Sequence, residues 1–482
     1  MPRRVRRGLV LALLALLAAC REDPAAAAPT AWRQCWLPGL EEPAECRTVE
    51  VPGGEHAPGK RVALFVARLR ADRPEAARPP LFFLAGGPGQ SATAVAGPMA
   101  TALREVRSDR DLIFVDQRGT GRSGAIGCEL LAEGADPLRD VFSGRLDADA
   151  VRRCRARLPL PPLAYGTATA SDDLDAVRRA LGLPAIALYG VSYGTRLALV
   201  HLARHGDTVE AAILDGALPA DVPLFATFDE DAEAAFAALV RDCAADAACH
   251  ATFPDPRRDL ERMLSRAAGG RRVRAPHPRT GAATELPIDR AGVALSVRAL
   301  LYEPQIAANL PLAVSAAAAG DYASLWTATA LLVDGASATT DAGLMLAVVC
   351  AEDVPRLDPA DPGSGFLGDA MTRQIVQACA IWDGPVAAPL PRASDAAQRP
   401  ILVISGALDP VTPPRHIDAF VAQRGAVHLI LPGVGHGAGR HGCGPRAMAD
   451  FLAAPATARP DLACGKKTRR PRFNLGASAV QR

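Results

Sequence analysis

An apolar run at residues 185–189 breaks into Gly190-Val191-Ser192-Tyr193-Gly194, and a helical pattern follows over residues 195–203. A G-x-S-x-G pentapeptide between a short strand and a helix constrains the fold of this chain more than any other feature. The turn is so tight that small residues must flank the serine, which is then held exposed at the edge of a sheet. Further short runs rich in branched residues lie at 62–66, 81–84, 112–115, 211–214, 401–404 and 427–431. They alternate with helical spacing such as Leu174, Val177, Ala180 and Leu181. Runs of that length read as buried strands, and the alternation implies an α/β fold with a mostly parallel central sheet flanked by helices. Between residues 215 and 400 the strand signal gives way to Ala- and Leu-rich helical stretches at 228–249, 259–268, 291–301 and 305–319. The organisation expected is a core over residues 20–216 and 399–482, with a large helical cap at 217–398 inserted before the strand that leads to a catalytic acid.

A serine hydroxyl is a poor nucleophile at neutral pH and needs a base, which in turn needs an orienting carboxylate. In a fold of this kind the chain order is serine, acid, histidine, each on a loop after a strand. The run at 401–404 continues through Ser405-Gly406 to Asp409, and the run at 427–431 exits into Gly433-Val434-Gly435-His436-Gly437. Ser192, Asp409 and His436 are therefore the candidate catalytic set, with His441 as the rival base. His428 lies inside a strand, His416 is too near the acid, and His201 and His205 fall on the helix after the serine. Phe82-Phe83-Leu84-Ala85-Gly86-Gly87-Pro88-Gly89 is a strand that breaks into a glycine turn. Such a turn can aim backbone amides at an oxyanion, so the hole would combine the amide of Tyr193 with that of Gly86 or Gly87. A phosphate-binding loop is excluded, because Pro88 removes a donor and no Gly-Lys-Ser/Thr follows.

The chain carries 54 Lys+Arg against 52 Asp+Glu, a net charge of +2, which gives no electrostatic footprint for nucleic acid. Its N-terminus reads as an address. Arg3, Arg4, Arg6 and Arg7 precede an uncharged apolar run at residues 8–19, which ends in Leu17-Ala18-Ala19-Cys20. This is a secretory signal with an apolar stretch too short to span a bilayer as a mature helix. The last four residues look like a bacterial lipobox, so residues 1–19 would be removed and Cys20 lipidated, a lipid being the sole membrane link. An ordinary signal peptide cleaved nearby is the alternative.

Ten cysteines follow Cys20, and an even number in an exported chain reads as disulfides. They fall into couples in chain order: Cys35 with Cys46, Cys128 with Cys154, Cys243 with Cys249, Cys350 with Cys379, and Cys443 with Cys464. Cys243 with Cys249 requires a helix to break between them, since unbroken helical spacing holds the Cα atoms too far apart. No Cys-x-x-Cys occurs and no histidine stands at zinc-finger spacing, so neither a metal nor a cofactor is expected. The basic stretch at 466–470 is expected to be a solvated terminus.

Gly86-Gly87-Pro88-Gly89, Asp116-Gln117-Arg118-Gly119-Thr120-Gly121-Arg122-Ser123 and Gly190-Val191-Ser192-Tyr193-Gly194 together resemble the proline iminopeptidase and tripeptidyl aminopeptidase family of α/β-hydrolases. The stretch from Val349-Cys350-Ala351-Glu352-Asp353 through Asp409 to His436 is similar to the secreted tripeptidyl aminopeptidase branch. The resemblance spans residues 30–470 and implies an α/β-hydrolase fold, with the 116–123 loop architectural and Arg118 its ion-pairing member. Ala85 stands where proline iminopeptidases have His, which argues against strict proline specificity.

The activity so implied is a serine aminopeptidase acting on peptide substrates, releasing an amino acid or a short peptide such as a tripeptide. An exopeptidase must hold a free ammonium with a carboxylate near the acyl pocket. Glu352 and Asp353 are the candidates, with Asp229, Glu230 and Asp231 in reserve; a helix-capping or solvated pair is the bland alternative. A secreted carboxylesterase or lipase-like enzyme would use the same machinery, because fold does not set substrate. A binding protein that merely retains the fold is disfavoured by the intact serine, acid and histidine.

Overall fold

The computed structural model describes residues 31–74, 78–128, 130 and 136–476; residues 1–19, expected to be a signal peptide, and Cys20 lie outside them. Nine strands form one sheet: β1 (Arg33–Cys35), β2 (Ala44–Pro52), β3 (Arg61–Leu69), β4 (Leu81–Leu84), β5 (Leu112–Val115), β6 (Ile186–Val191), β7 (Val209–Asp215), β10 (Ile401–Gly406) and β11 (Val427–Leu431). A separate hairpin joins β8 (Arg271–Pro276) to β9 (Ala283–Ile288). The order in the sheet is β1-β2-β3-β5-β4-β6-β7-β10-β11. Pairing is antiparallel from β1 to β5 and parallel from β5 through to β11.

Alternation along each central strand feeds both faces of the sheet. Leu81 and Phe83 of β4, with Ala187 and Tyr189 of β6, enter one apolar layer. Phe82 and Leu84, with Ile186 and Leu188, enter the other, where the helix Thr167–Ala180 contributes Leu174 and Val177. Every residue of β4 and β5 is buried, as expected of parallel strands covered on both faces. The chain passes from β4 to β5 on one side and returns to β6 on the other. The carboxyl ends of β4 and β6 therefore flank the point where the strand order reverses, which is where ligand sites form in open α/β sheets.

Residues 216–400 separate β7 from β10, and most of them form the cap, whose apolar cluster around Phe236, Leu260, Val297 and Trp326 also takes in Leu138 and Phe142 from between β5 and β6. The cap is not wholly helical. The β8–β9 hairpin was hidden because Arg271-Arg272-Val273-Arg274 and Thr284-Glu285 carry too few apolar residues to show a strand period, and most of that hairpin lies at the surface. A second cluster joins cap to core, with Tyr193, Leu218 and Val411 packed among Leu344, Ala347, Ile375 and Trp382.

The five disulfides join the same couples as the sequence order. The helical run at 228–249 is two helices, Phe228–Ala245 and Ala247–Thr252, broken at Asp246. Asp246 leaves helical dihedrals (φ −89°, ψ 111°), and its carboxylate accepts from the amides of Ala248 and Cys249 at 3.0 and 2.9 Å, which starts the second helix. The break brings the Cα atoms of Cys243 and Cys249 to 5.2 Å.

The basic C-terminal stretch departs from expectation only at Arg470. Lys466, Lys467 and Arg469 are exposed as expected, but Arg470 is not, and the described chain continues from it onto the cap. Arg470 pairs with Asp242 at 2.8 Å, Phe473 and Leu475 pack by the Cys243–Cys249 bridge, and the Asn474 amide donates to the Ala308 carbonyl at 3.1 Å.

Candidate active site

Ser192 stands between the end of β6 and the helix Tyr193–His205, with φ 56° and ψ −125°. Positive φ is costly for a residue with a Cβ, and such strain persists only where the surroundings over-determine it. Here they do. The Ser192 amide donates to the Asp215 carbonyl at 2.9 Å, and Leu84 is in register with Gly190, so the helix starts directly against the end of β4. A Cβ on Gly194 would run into the carbonyl oxygen of Leu84, and one on Gly190 into that of Gly194. The flanking glycines are what let the helix approach so closely. Tyr193 opens that helix, so its amide has no intrahelical acceptor.

The turn after β4 lies beside Ser192: a Cβ built on Gly86 would be 3.1 Å from the serine Cβ and 3.7 Å from its Oγ. Gly87 is exposed, with φ 105°. The Gly86 amide donates to the Gln90 side chain at 3.3 Å. The cap clamps this turn. The Asp341 amide donates to the Gly89 carbonyl at 2.8 Å, and the Ser91 amide to the Thr339 carbonyl at 2.8 Å.

Asp409, on the loop after β10, is buried and holds four hydrogen bonds. Its Oδ1 accepts from the amides of Val411 and Thr412, both at 2.9 Å. Its Oδ2 accepts the Thr412 hydroxyl at 2.8 Å and faces Nδ1 of His436 at 2.8 Å. Burial alone would raise this carboxyl; the charge and hydrogen bond of His436, with the two bonds from Thr412, hold it below the ordinary aspartate value. Burial likewise pulls the His436 imidazole down, but Asp409 and then Asp215 outweigh it, and the net shift is upward. With Nδ1 engaged, Nε2 is the nitrogen left to act as base. The ring of Tyr302 meets the imidazole edge-on at 5.2 Å, and the Tyr302 carbonyl accepts the His436 amide at 3.0 Å. Cap residues thus touch both the turn at 86–89 and the histidine loop. Thr412 and Tyr302 had no sequence signal, since neither belongs to a motif and Tyr302 arrives from the cap. His441, the rival base, has Nε2 3.8 Å from Glu303, away from Asp409's carboxylate.

Glu352 and Asp353 were expected at the acyl pocket as receptors of an ammonium; both have partners inside the protein. Glu352, 8% exposed, accepts the Thr167 amide on Oε1 and the Thr167 hydroxyl on Oε2, both at 2.6 Å. That hydroxyl is 2.8 Å from the Tyr193 Oη. Burial pushes the Glu352 carboxyl up, against the opposing effect of the Thr167 bonds. Asp353 is fully buried: its oxygens meet Nη1 of Arg196 at 2.9 and 3.0 Å, and Oδ1 also accepts the Leu224 amide at 2.7 Å. The reserve acids lie elsewhere on the cap–core boundary, where Arg415 pairs with Glu230 and Asp231, His416 is 3.1 Å from Asp231, and Asp229 accepts the Ser364 amide. Arg118 spends all its donors internally, on Asp173 at 2.7 and 2.5 Å and on the carbonyls of Pro52, Gly53 and Ala164.

A family model described as the alpha/beta hydrolase fold matches residues 79–438. Carboxylesterase B of Mycobacterium tuberculosis (strain H37Rv) is 29% identical over 89% of this chain and 90% of its own length. Serine protease Hip1 of the same strain is 31% identical over 47% of each chain. Tripeptidyl aminopeptidase of Streptomyces coelicolor is 29% identical over 49% of this chain and 47% of its own, so these last two matches span about half of each protein. With the strand order, the serine on its strained turn and the hydrogen-bonded acid and histidine, the family match shows that this chain belongs to the alpha/beta hydrolase fold family.

Proposed function

We propose that this hydrolase is an exported serine aminopeptidase that releases an amino acid or short peptide from peptide N-termini. Ser192 attacks the scissile carbonyl while Nε2 of His436 takes its proton, and Asp409 stabilises the imidazolium that forms. The oxyanion is held by the amide of Tyr193, which the helix leaves unpaired, and by that of Gly87, since the Gly86 amide is turned to Gln90. His436 then protonates the leaving amine, and water attacks the acyl-enzyme by the reverse route. The observation that carries the triad is the 2.8 Å contact from Nδ1 of His436 to a buried carboxylate held below its ordinary pKa.

Restriction to chain ends is supported by the cap, which bonds to the oxyanion turn at Gly89 and packs Tyr302 on His436. Glu352 is the receptor for the substrate ammonium in this reading: Thr167 links it to the side-chain hydroxyl of Tyr193, the residue after Ser192, and a carboxylate with four acceptor positions keeps two beyond those Thr167 fills. Asp353 acts indirectly, by fixing Arg196 and the segment at Leu224. Export is supported by the five disulfides, and the Cys20 anchor goes with it.

A carboxylesterase is the second reading, favoured by the relative of that name, whose match covers nine-tenths of both proteins. A panel of aminoacyl, prolyl and tripeptidyl chromogenic amides beside short-chain acyl esters separates the two. The proposal expects amides with a free amine to be turned over, with all activity lost in Ser192→Ala, by about 10⁴-fold or more. Ester turnover with no amide turnover would select the second reading, and fluorophosphonate labelling of a serine other than Ser192 would overturn both.

A further inference from the structure

The reaction so far uses one carboxylate, yet a second one is buried beside the same histidine. Asp215 ends β7, paired in register with Val191 on β6 and with Ile404 on β10, the strands that lead to Ser192 and Asp409. It has no exposed surface. Its Oδ2 accepts the Tyr189 hydroxyl at 2.9 Å and the Gly439 amide at 2.9 Å, and Gly439 belongs to the loop that carries His436. Its Oδ1 is buried with no hydrogen-bond partner. The adjoining Gly216 backbone runs beside the imidazole, since a Cβ built there would lie 3.3 Å from Cε1 and 3.4 Å from Nδ1 of His436.

A buried carboxylate with one oxygen unsatisfied is costly, and positive charge nearby favours its ionised form. We propose that Asp215 is a positioning residue that latches the His436 loop through the Gly439 amide and adds its negative charge to that of Asp409 in setting the proton affinity of His436. The proposal rests on the Ser192-His436-Asp409 reading. When Ser192 gives up its proton, the imidazolium then forms between two carboxylates, one hydrogen-bonded and one acting through space.

The electrostatics run both ways. Burial pushes the Asp215 carboxyl up to about 6, while the Gly439 and Tyr189 bonds and the charges of His436 and Arg440 oppose it. Asp215 in turn raises His436. The other groups that face the imidazole are Asp409, the Thr412 hydroxyl at 3.1 Å from Nδ1, the Tyr302 ring and Arg440, which pulls His436 down; Arg440 itself is paired with Glu303. Nothing else among the described residues supplies a second negative charge to His436 from the sheet side.

The test is the pH profile of kcat/KM in Asp215→Asn. Asn has the shape of Asp; its carbonyl can take the Tyr189 and Gly439 bonds while its amide replaces the unpartnered oxygen, so the latch is kept and the charge is removed. The acid limb should move to lower pH by ~0.5 unit or more and the plateau should fall a few-fold, as expected for a weaker base. Tyr189→Phe, which removes a hydrogen bond and no formal charge, should lower Tm and move the limb in the same direction by less than Asp215→Asn does, because losing that bond raises Asp215. An Asp215→Asn limb that superimposes on the wild type would reduce Asp215 to a loop latch and overturn the proposal. In the wild type, the ¹⁵N ring shifts of His436 should titrate above the ordinary histidine value and over a broadened range, as coupled groups do. A single simple titration at an unraised midpoint would overturn it as well, even if the Asn variant does not fold. Fluorophosphonate labelling is read in parallel: failure to label Ser192 retires the triad reading, whereas labelled Ser192 with an unmoved limb retires only the role of Asp215.

Discussion

Asp353 closes a buried ion pair with Arg196, on the helix that follows Ser192, at 2.9 Å. Both side chains are 1% exposed. The pair ties the cap helix Ala342–Glu352 to the nucleophile helix, and the Leu224 amide and Val222 carbonyl complete it from a third segment. Burial lowers the Arg196 pKa, but Asp353 and then Glu352 more than compensate, so the guanidinium stays charged.

Removing one partner of such a pair strands the other charge in the interior. Asp353→Ala should cost about 3–5 kcal/mol of stability, seen as a large drop in Tm. An unchanged Tm would show that Asp353 is not part of the frame. Arg196→Met should behave similarly, and the double variant should be less damaged than the sum of the two.

Thr412 shares Asp409 with His436, its hydroxyl lying 2.8 Å from the carboxylate and 3.1 Å from Nδ1 of the imidazole. Thr412→Val deletes a hydrogen bond to a charged group at constant shape. Such bonds contribute ~1.5–3 kcal/mol to the folded protein, so Tm should fall, and kcat/KM should fall by a larger factor than an equally destabilising change away from the site, as the acid loses a partner that orients it. Full activity in Thr412→Val would mean that the amides of Val411 and Thr412 orient the acid unaided.

Gly194→Ala should prevent soluble folding or displace the nucleophile helix, because the new methyl meets the Leu84 carbonyl at the end of β4. Expression with an unaltered rate would contradict the close packing of the elbow.

The wild-type kcat/KM should fall as pH drops, with its midpoint above 6.5, the ordinary histidine value. His436 works as a base only when neutral, and its pKa is raised, so protonation silences it earlier on the way down. Asp409, held below its ordinary value, stays ionised across that range. An acid limb centred below 6.5 would contradict this electrostatic account.

How far the sequence reached depends on how local each signal is. Ser192, Asp409 and His436 each sit one tight turn beyond a short apolar run, so strand period and turn chemistry fall close together in the chain. The burial of Glu352 and Asp353 was not legible, because the partners that commit them, Thr167 and Arg196, lie 185 and 157 positions away. Tyr302 reaches His436 only once the cap has folded back, and Asp215 reads locally as nothing more than the end of a strand. The β8–β9 hairpin failed for the opposite reason: its pairing is local, but an arginine-rich surface strand has no apolar alternation to read. The Asp246 break was legible only as a requirement of the Cys243–Cys249 bridge.

The aminopeptidase account turns on the substrate amine, so the most direct measurement compares kcat/KM for one chromogenic peptide amide with its N-terminus free and acetylated. If Glu352 holds the ammonium, acetylation removes a charge-assisted hydrogen bond, and the rate should fall by about tenfold or more. Glu352→Gln should reproduce much of that loss on the free peptide while sparing a small acyl ester. Equal rates on the free and acetylated peptides would contradict the account and leave Ser192, His436 and Asp409 serving an esterase.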